Sequence, residues 1–270
     1  MMNYIMLTES VNALSVKFVL PNLYVYLSQT LGWGKDFTVN AVLIVVGALL
    51  CMVIPYLLGS INPAIILSKK VYHDDIRTHG SGNAGTTNTL RTYGKKTAAL
   101  VFVIDLLKAA LSVIIGTLIL PYEVGGAIAG VFVILGHMFP IYYKFKGGKG
   151  VACLVAVSLL LSPISFCIVF PIFFVIVFFT RYVSLGSIMA AFLLPLVHDA
   201  FHVRALGNPL SGCITAALIL IMVLVVFQHR ENIKRLLKGK ESKVSFGFGA
   251  KKEKEAAKAK NDSEREDGDS

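Results

Sequence analysis

Arg77 and Arg91 bracket a run that holds Gly80, Ser81, Gly82, Asn83, Gly85, Thr86, Thr87 and Asn88. Three glycines in six residues open backbone angles that other residues avoid. Such a loop can turn successive N–H groups inward and form a nest for an anion. Ser81, Thr86 and Thr87 add hydroxyl donors, and the asparagines add amide donors. A short helix opening at Thr86 would point its N-terminus at the same anion. Arg77 and Arg91 supply fork-shaped donors suited to phosphate. Phosphate binding is the chemistry expected here. Gly80, four residues and Gly85 imitate a nucleotide P-loop, but Thr86 stands where that motif needs lysine, which argues against ATP. A flexible polar linker would not need this density of small and polar residues between two arginines.

Two more clusters follow. Lys146, Gly147, Gly148, Lys149 and Gly150 form a glycine-rich basic turn. Alone it reads equally well as an ordinary loop beside a membrane. His229, Arg230, Glu231 and Asn232 follow the last apolar run. Alone they read equally well as a snorkelling helix end. His229 can carry a proton near neutral pH, and Asn232 is a neutral donor. Inside apolar segments, Asp105 and Lys108 lie three apart on one helix face. Charge in a membrane is costly and is paired or functional. A structural ion pair is the first reading, and placement of a substrate phosphate the second. His137 falls near a helix end and divides evenly between packing and site. Ser184, after Arg181, can add a hydroxyl. His198 and His202 share helical spacing, but only Asp199 accompanies them, so no metal is expected there.

The elements that position these groups are membrane helices. Of 270 residues, 55% are hydrophobic. Runs of about 20 apolar residues, enough to cross roughly 30 Å of hydrocarbon, recur along the chain. The net charge is +10, yet 21 of the 26 Lys and Arg fall in residues 69–96, 144–149 and 229–270. These are loops and a tail, so the excess is the positive-inside pattern and not a nucleic-acid surface. It puts the polar clusters on the cytoplasmic side.

Apolar segments are expected at 40–68, 97–120, 125–143, 186–203 and 209–227. The 29-residue run 151–179 is interrupted at Ser162-Pro163. It reads as a hairpin of two crossings, because the basic loop before it and Arg181 after it favour one side. The fold class expected is an all-α integral membrane protein of about seven transmembrane helices with short cytoplasmic glycine-rich loops. Residues 1–39 read as an apolar N-terminal extension, either an interfacial helix or an extra span. Residues 40–245 form the membrane domain, and 246–270 a charged, disordered tail. Cys51, Cys153, Cys167 and Cys213 read as small buried residues.

In order, Gly59-Ser60-Ile61-Asn62, the Asp75-to-Arg91 run, Asp105 with Lys108, and Gly136-His137 with Phe139-Pro140 form one pattern. Phe145 to Ala152, Arg181 to Ser184, and His229 to Ile233 with Arg235-Leu236 complete it. The pattern resembles the bacterial acyl-phosphate-dependent (PlsY-type) glycerol-3-phosphate acyltransferases, from about residue 40 to about 245. Asn62 stands where that family commonly has proline, and Pro63 follows.

The resemblance implies a seven-helix enzyme of the bacterial plasma membrane, with its site and C-terminus cytoplasmic. It would move a fatty acyl group from acyl phosphate to the 1-hydroxyl of glycerol 3-phosphate, giving lysophosphatidic acid and phosphate. No cofactor and no metal are implied. The partners implied are those two small molecules and membrane lipid. Ser60, Arg77, Gly80, Ser81, Gly82, Asn83, Thr86, Thr87, Asn88, Arg91 and Lys146 would bind substrate phosphate. Lys149, Ser184, His229 and Asn232 would arrange the attacking hydroxyl, with Asp105, Lys108 and His137 in support. An anion transporter is the main alternative, but no internal repeat is visible and the glycine loops sit at one surface. Another membrane lipid enzyme is the third option, yet no histidine here has an aspartate five positions on, as the common soluble-donor acyltransferases require.

Overall fold

The computed structural model describes residues 22–208 and 211–244. The tail expected at 246–270, and residues 1–21 of the expected N-terminal extension, lie outside the described residues. All regular structure among the described residues is helical. The chain is a multi-pass integral membrane protein.

Helix α1, Phe37–Ser60, starts where Asp36 accepts hydrogen bonds from Thr38 N and Val39 N. It therefore begins a few residues before the apolar run expected at 40. Pro55 lies inside α1 without ending it. The break comes at Ile61-Asn62, where the Asn62 side chain caps α2, Pro63–Val71. Proline at the first helical position needs no amide partner, so Pro63 starts the helix without loss. Helix α3, Thr86–Tyr93, is the short surface helix that the threonines foreshadow. Helices α4, Lys95–Ile119, and α5, Tyr122–Met138, follow.

The run 151–179 does divide at Ser162-Pro163, into α6, Val151–Leu161, and α7, Pro163–Thr180. Its arms are unequal. Eleven residues rise about 16 Å, half of a hydrocarbon layer. Helix α8, Val183–His198, runs into a π-helical segment, Asp199–Ala205. Helix α9, Gly212–Gln228, bends by 58° into α10, Arg230–Leu237. Among the described residues five helices are long and apolar enough to cross a membrane, and the bent α9–α10 pair makes six. The seven expected segments are thus present, with α6 reaching only part of the way.

Helix α5 is the hub, packing on α1, α4, α6 and α9. Its approach to α1 is backbone-close. A Cβ on Gly136 would overlap the Tyr56 carbonyl, and one on Gly59 the Val133 carbonyl. Small residues give membrane helices this proximity, where no hydrophobic force drives them together. Apolar residues also cover the outside, as on α4 at Val103, Leu107 and Leu111. That surface explains one correction. Cys51 and Cys153 are buried as expected, but Cys167 and Cys213 are exposed on the bundle. In a membrane protein an apolar segment faces lipid as readily as protein, so apolar neighbours do not imply burial.

Candidate active site

Three loop systems meet at one end of the bundle. The first is the glycine run before α3. Gly80 and Gly82 take left-handed φ of +56° and +70°. Asn88 shapes the turn from inside. Its amide donates to Ile76 O at 3.1 Å and His79 O at 2.9 Å, and its oxygen accepts from Ser81 N at 2.9 Å. A Cβ on Gly80 would overlap that oxygen. Asn62 Nδ2 pins the far side by donating to Ala84 O at 3.1 Å. Gly85 is the N-cap of α3 and offers no side-chain acceptor. The first-turn amides are therefore left for an external anion.

The second system is the turn 144–150. Gly147 N donates to Met138 O at 3.2 Å and Gly148 N to His137 O at 3.1 Å, so the turn zips onto the end of α5. Arg77 ties the first system to the second. Its Nη2 lies 2.7 Å from Asp75 Oδ2, and its Nη1 donates to Tyr143 O at 3.1 Å. The hydrogen bond from Arg77 brings the Asp75 carboxyl down to about 2. Arg77 is thus a strut between loops.

The third system is the α9–α10 bend and the segment after it. His229 Nδ1 donates to Val225 O at 2.8 Å, which leaves Nε2 as the ring's lone-pair nitrogen. Asn232 Oδ1 accepts from Lys149 Nζ. Asn232 Nδ2 donates to Glu241 Oε1 at 2.6 Å, and Ser184 Oγ donates to the same oxygen at 2.9 Å. Arg235 Nε donates to Glu241 Oε2 at 2.8 Å. Burial pushes the Glu241 carboxyl up, but Arg235, Asn232 and Ser184 outweigh it and hold it low. Burial, with Arg235 and Arg91 nearby and Glu241 opposing, brings the Lys149 ammonium down to about 8.

A cavity of about 390 Å³ runs through this end of the bundle. Ser81, Asn83, Thr86, Thr87, Asn88, Arg91, Asp105, His137, Lys149, Ser184, His229 and Asn232 all line it. So do Phe166, Phe170, Phe173 and Leu194 of α7 and α8, which give it a long apolar arm. Ser60, Arg77, Gly80, Gly82, Lys108 and Lys146 are not on its wall. Ser60 Oγ donates to Tyr56 O at 2.8 Å and accepts from Ile141 N at 3.4 Å, which holds the chain after α5. Lys146 is exposed. Glu241 lines the cavity and was not singled out from the sequence. It lies in the run Lys238 to Lys243, where charge reads as a solvated tail, and no signal in its own type or spacing marks it.

Asp105 and Lys108 form the expected pair, 2.7 Å apart and both buried. Asp105, His137 and Cys153 bring metal-ligand atom types within 4.8 Å of one another. The Lys108 ammonium already stands against two of them, so the trio has its cation. His198 Nε2 donates to Ser211 O at 3.3 Å and its Nδ1 pairs with Ser162 Oγ at 2.7 Å.

Residues 49–239 match the family model described as Glycerol-3-phosphate acyltransferase. The chain belongs to the glycerol-3-phosphate acyltransferase family. The glycerol-3-phosphate acyltransferase of Thermoanaerobacter pseudethanolicus is 44% identical over 197 residues, which is 73% of this chain and 96% of that one. Glycerol-3-phosphate acyltransferase 2 of Bacillus anthracis is 38% identical, covering 73% and 98%. The crystal structure of PlsY (YgiH), an integral membrane glycerol 3-phosphate acyltransferase, in its glycerol 3-phosphate form has a TM-score of 0.67 and 35% identity, covering 73% of this chain and 96% of that one. Its lysophosphatidic acid form has a TM-score of 0.64 at 34% identity, covering 73% and 95%. The acyltransferase is therefore an enzyme of lipid synthesis, and the loop-lined cavity is its candidate active site.

Proposed function

We propose that this acyltransferase moves a fatty acyl group from acyl phosphate to the 1-hydroxyl of glycerol 3-phosphate, releasing lysophosphatidic acid and inorganic phosphate. One observation carries the reading. A single cavity joins a mouth of cations, hydroxyls and a free helix N-terminus to an arm of phenylalanines. That combination suits two phosphate-bearing substrates, one with an acyl tail. The related PlsY structures, in glycerol 3-phosphate and lysophosphatidic acid forms, support it. The clustering of Lys and Arg supports a cytoplasmic site and C-terminus in a bacterial plasma membrane.

In the proposed reaction the glycerol oxygen attacks the acyl carbon, and the bond from that carbon to the phosphate oxygen breaks. Acyl phosphate is already activated, so no covalent nucleophile is needed. The α3 N-terminus, Thr86, Thr87, Asn83, Ser81 and Arg91 hold phosphate. Lys149, Ser184 and Asn232 orient glycerol 3-phosphate. His229 Nε2 takes the hydroxyl proton, with the departing phosphate as the alternative acceptor. Ser60, Arg77, Asn88, Gly80 and Gly82 act through the shape of the loops. Lys146 adds positive potential at the entrance. Positioning and charge neutralisation supply the rate.

The test is phosphate release by purified protein given acyl phosphate, with and without glycerol 3-phosphate. Release that needs glycerol 3-phosphate and yields lysophosphatidic acid is expected. Arg77→Ala frees both glycine loops and is expected to lower kcat/KM about 100-fold. A folded wild type that transfers no acyl group at any chain length would overturn the reading.

Lys149 gives a pH signature. It holds phosphate only as the cation, which is present below about 8 and lost above it. The kcat/KM for glycerol 3-phosphate is therefore expected to be level below that pH and to fall about tenfold per unit above it. In Lys149→Arg the alkaline limb should disappear, because a guanidinium stays charged. An unchanged limb in that variant would assign it to another group.

A further inference from the structure

We propose that His137 contacts substrate directly, its Nε2–H donating to a phosphate oxygen at the polar mouth of the cavity. The proposal rests on the acyltransferase reading above. It starts from Lys108. An ammonium only donates, and this one has hydrogen-bond partners in Ile61 O at 2.6 Å and His137 Nδ1 at 3.1 Å. Asp105 Oδ1 is its counter-charge at 2.7 Å and lies 3.2 Å from Nδ1. A buried ammonium that faced an N–H instead would leave one hydrogen unpaired and opposed. Nδ1 therefore accepts, and the ring hydrogen sits on Nε2. Protonation of the ring would keep that hydrogen in place.

Nε2 has no hydrogen-bond partner among the described residues. The ring lines the cavity, where it stands between the two glycine loops. A Cβ on Gly148 would overlap Nε2 and approach Ala84 O to 2.9 Å. Thr86, on the same wall, has a hydroxyl that is buried without a partner. Two unpaired donors beside Lys149 and Arg91 point to one missing acceptor rich in oxygen and negative charge. A phosphate oxygen fits, from glycerol 3-phosphate or from acyl phosphate.

Two arms test this. The first is NMR of ¹⁵N-histidine protein in detergent, titrated with inorganic phosphate. The expected result is a protonated Nε2, a bare Nδ1, and a phosphate-dependent shift at Nε2. A hydrogen on Nδ1 alone, or an Nε2 signal that ignores saturating phosphate, overturns the proposal. This arm needs no turnover, so it stands even if the acyl-transfer reading fails.

The second arm is kinetic. His137→Asn keeps an oxygen near the Nδ1 position for Lys108 but has no hydrogen near Nε2. His137→Gln places an amide hydrogen there. His137→Asn is expected to raise one KM about 10–100-fold, the loss of a hydrogen bond to a charged group, while its melting temperature stays near wild type. The substrate whose KM rises names the phosphate. His137→Gln is expected to recover most of the loss. Wild-type kinetics in His137→Asn would overturn the contact and leave His137 as a support for Lys108.

Discussion

Asp105→Ala is expected to destabilise the acyltransferase by about 3–5 kcal/mol, the cost of leaving one member of a buried ion pair without its partner. Asp105 is 1% exposed and Lys108 7%. The variant keeps the ammonium deep in α4 and removes the one carboxylate within 4 Å among the described residues. Hydrogen bonds to Ile61 O and His137 Nδ1 remain, but neither carries a compensating charge. The measurement is thermal unfolding in a fixed detergent. Asp105→Ala should show a large fall in melting temperature. The double variant Asp105→Ala, Lys108→Met should recover most of it, because no charge is then buried. A double variant no more stable than the single one would mean that the pair is not the source of the loss.

Glu241→Ala is expected to lower kcat/KM by about 100-fold or more, with a much smaller effect on stability. One carboxylate gathers Ser184, Asn232 and Arg235 at 2.6–2.9 Å. Asn232 in turn faces Lys149. Without Glu241, three side chains lose the group that fixes their rotamers, and a misplacement of about 1 Å can cost that much rate. Arg235 is 37% exposed on its side chain, so water can solvate it when the carboxylate is gone. Activity, more than folding, should register the change. Full activity in a folded Glu241→Ala protein would show that Ser184 and Asn232 are held by other contacts.

These two residues mark how far the sequence alone could reach. Asp105 was legible because an acidic residue inside an apolar run is expensive and needs a reason. Glu241 was not, because a glutamate among lysines needs none. Its meaning comes from the fold-back that lets Val244 N donate to Arg181 O at 2.9 Å, a contact across 63 positions that no local pattern carries. Arg77 was legible as a group tied to phosphate loops, but not as a strut, because its partner Tyr143 O is a backbone atom on another element. The helix count followed from hydropathy and charge. The shortness of α6 followed only in part, since Ser162-Pro163 gives the break but not how deep each arm runs. Hydropathy was silent on Cys167 and Cys213 because lipid and protein interior look alike to it.

The fold-back also sets an order in time. A ribosome reads this chain from its N-terminus, and the last apolar helix among the described residues ends at Gln228. The carboxylate that gathers the site arrives thirteen positions later, at Glu241. A chain still in synthesis, or one cut short in that interval, can insert these apolar helices and still lack the carboxylate that gathers Ser184, Asn232 and Arg235. The membrane then receives a scaffold first and an enzyme only when translation has passed the final turn.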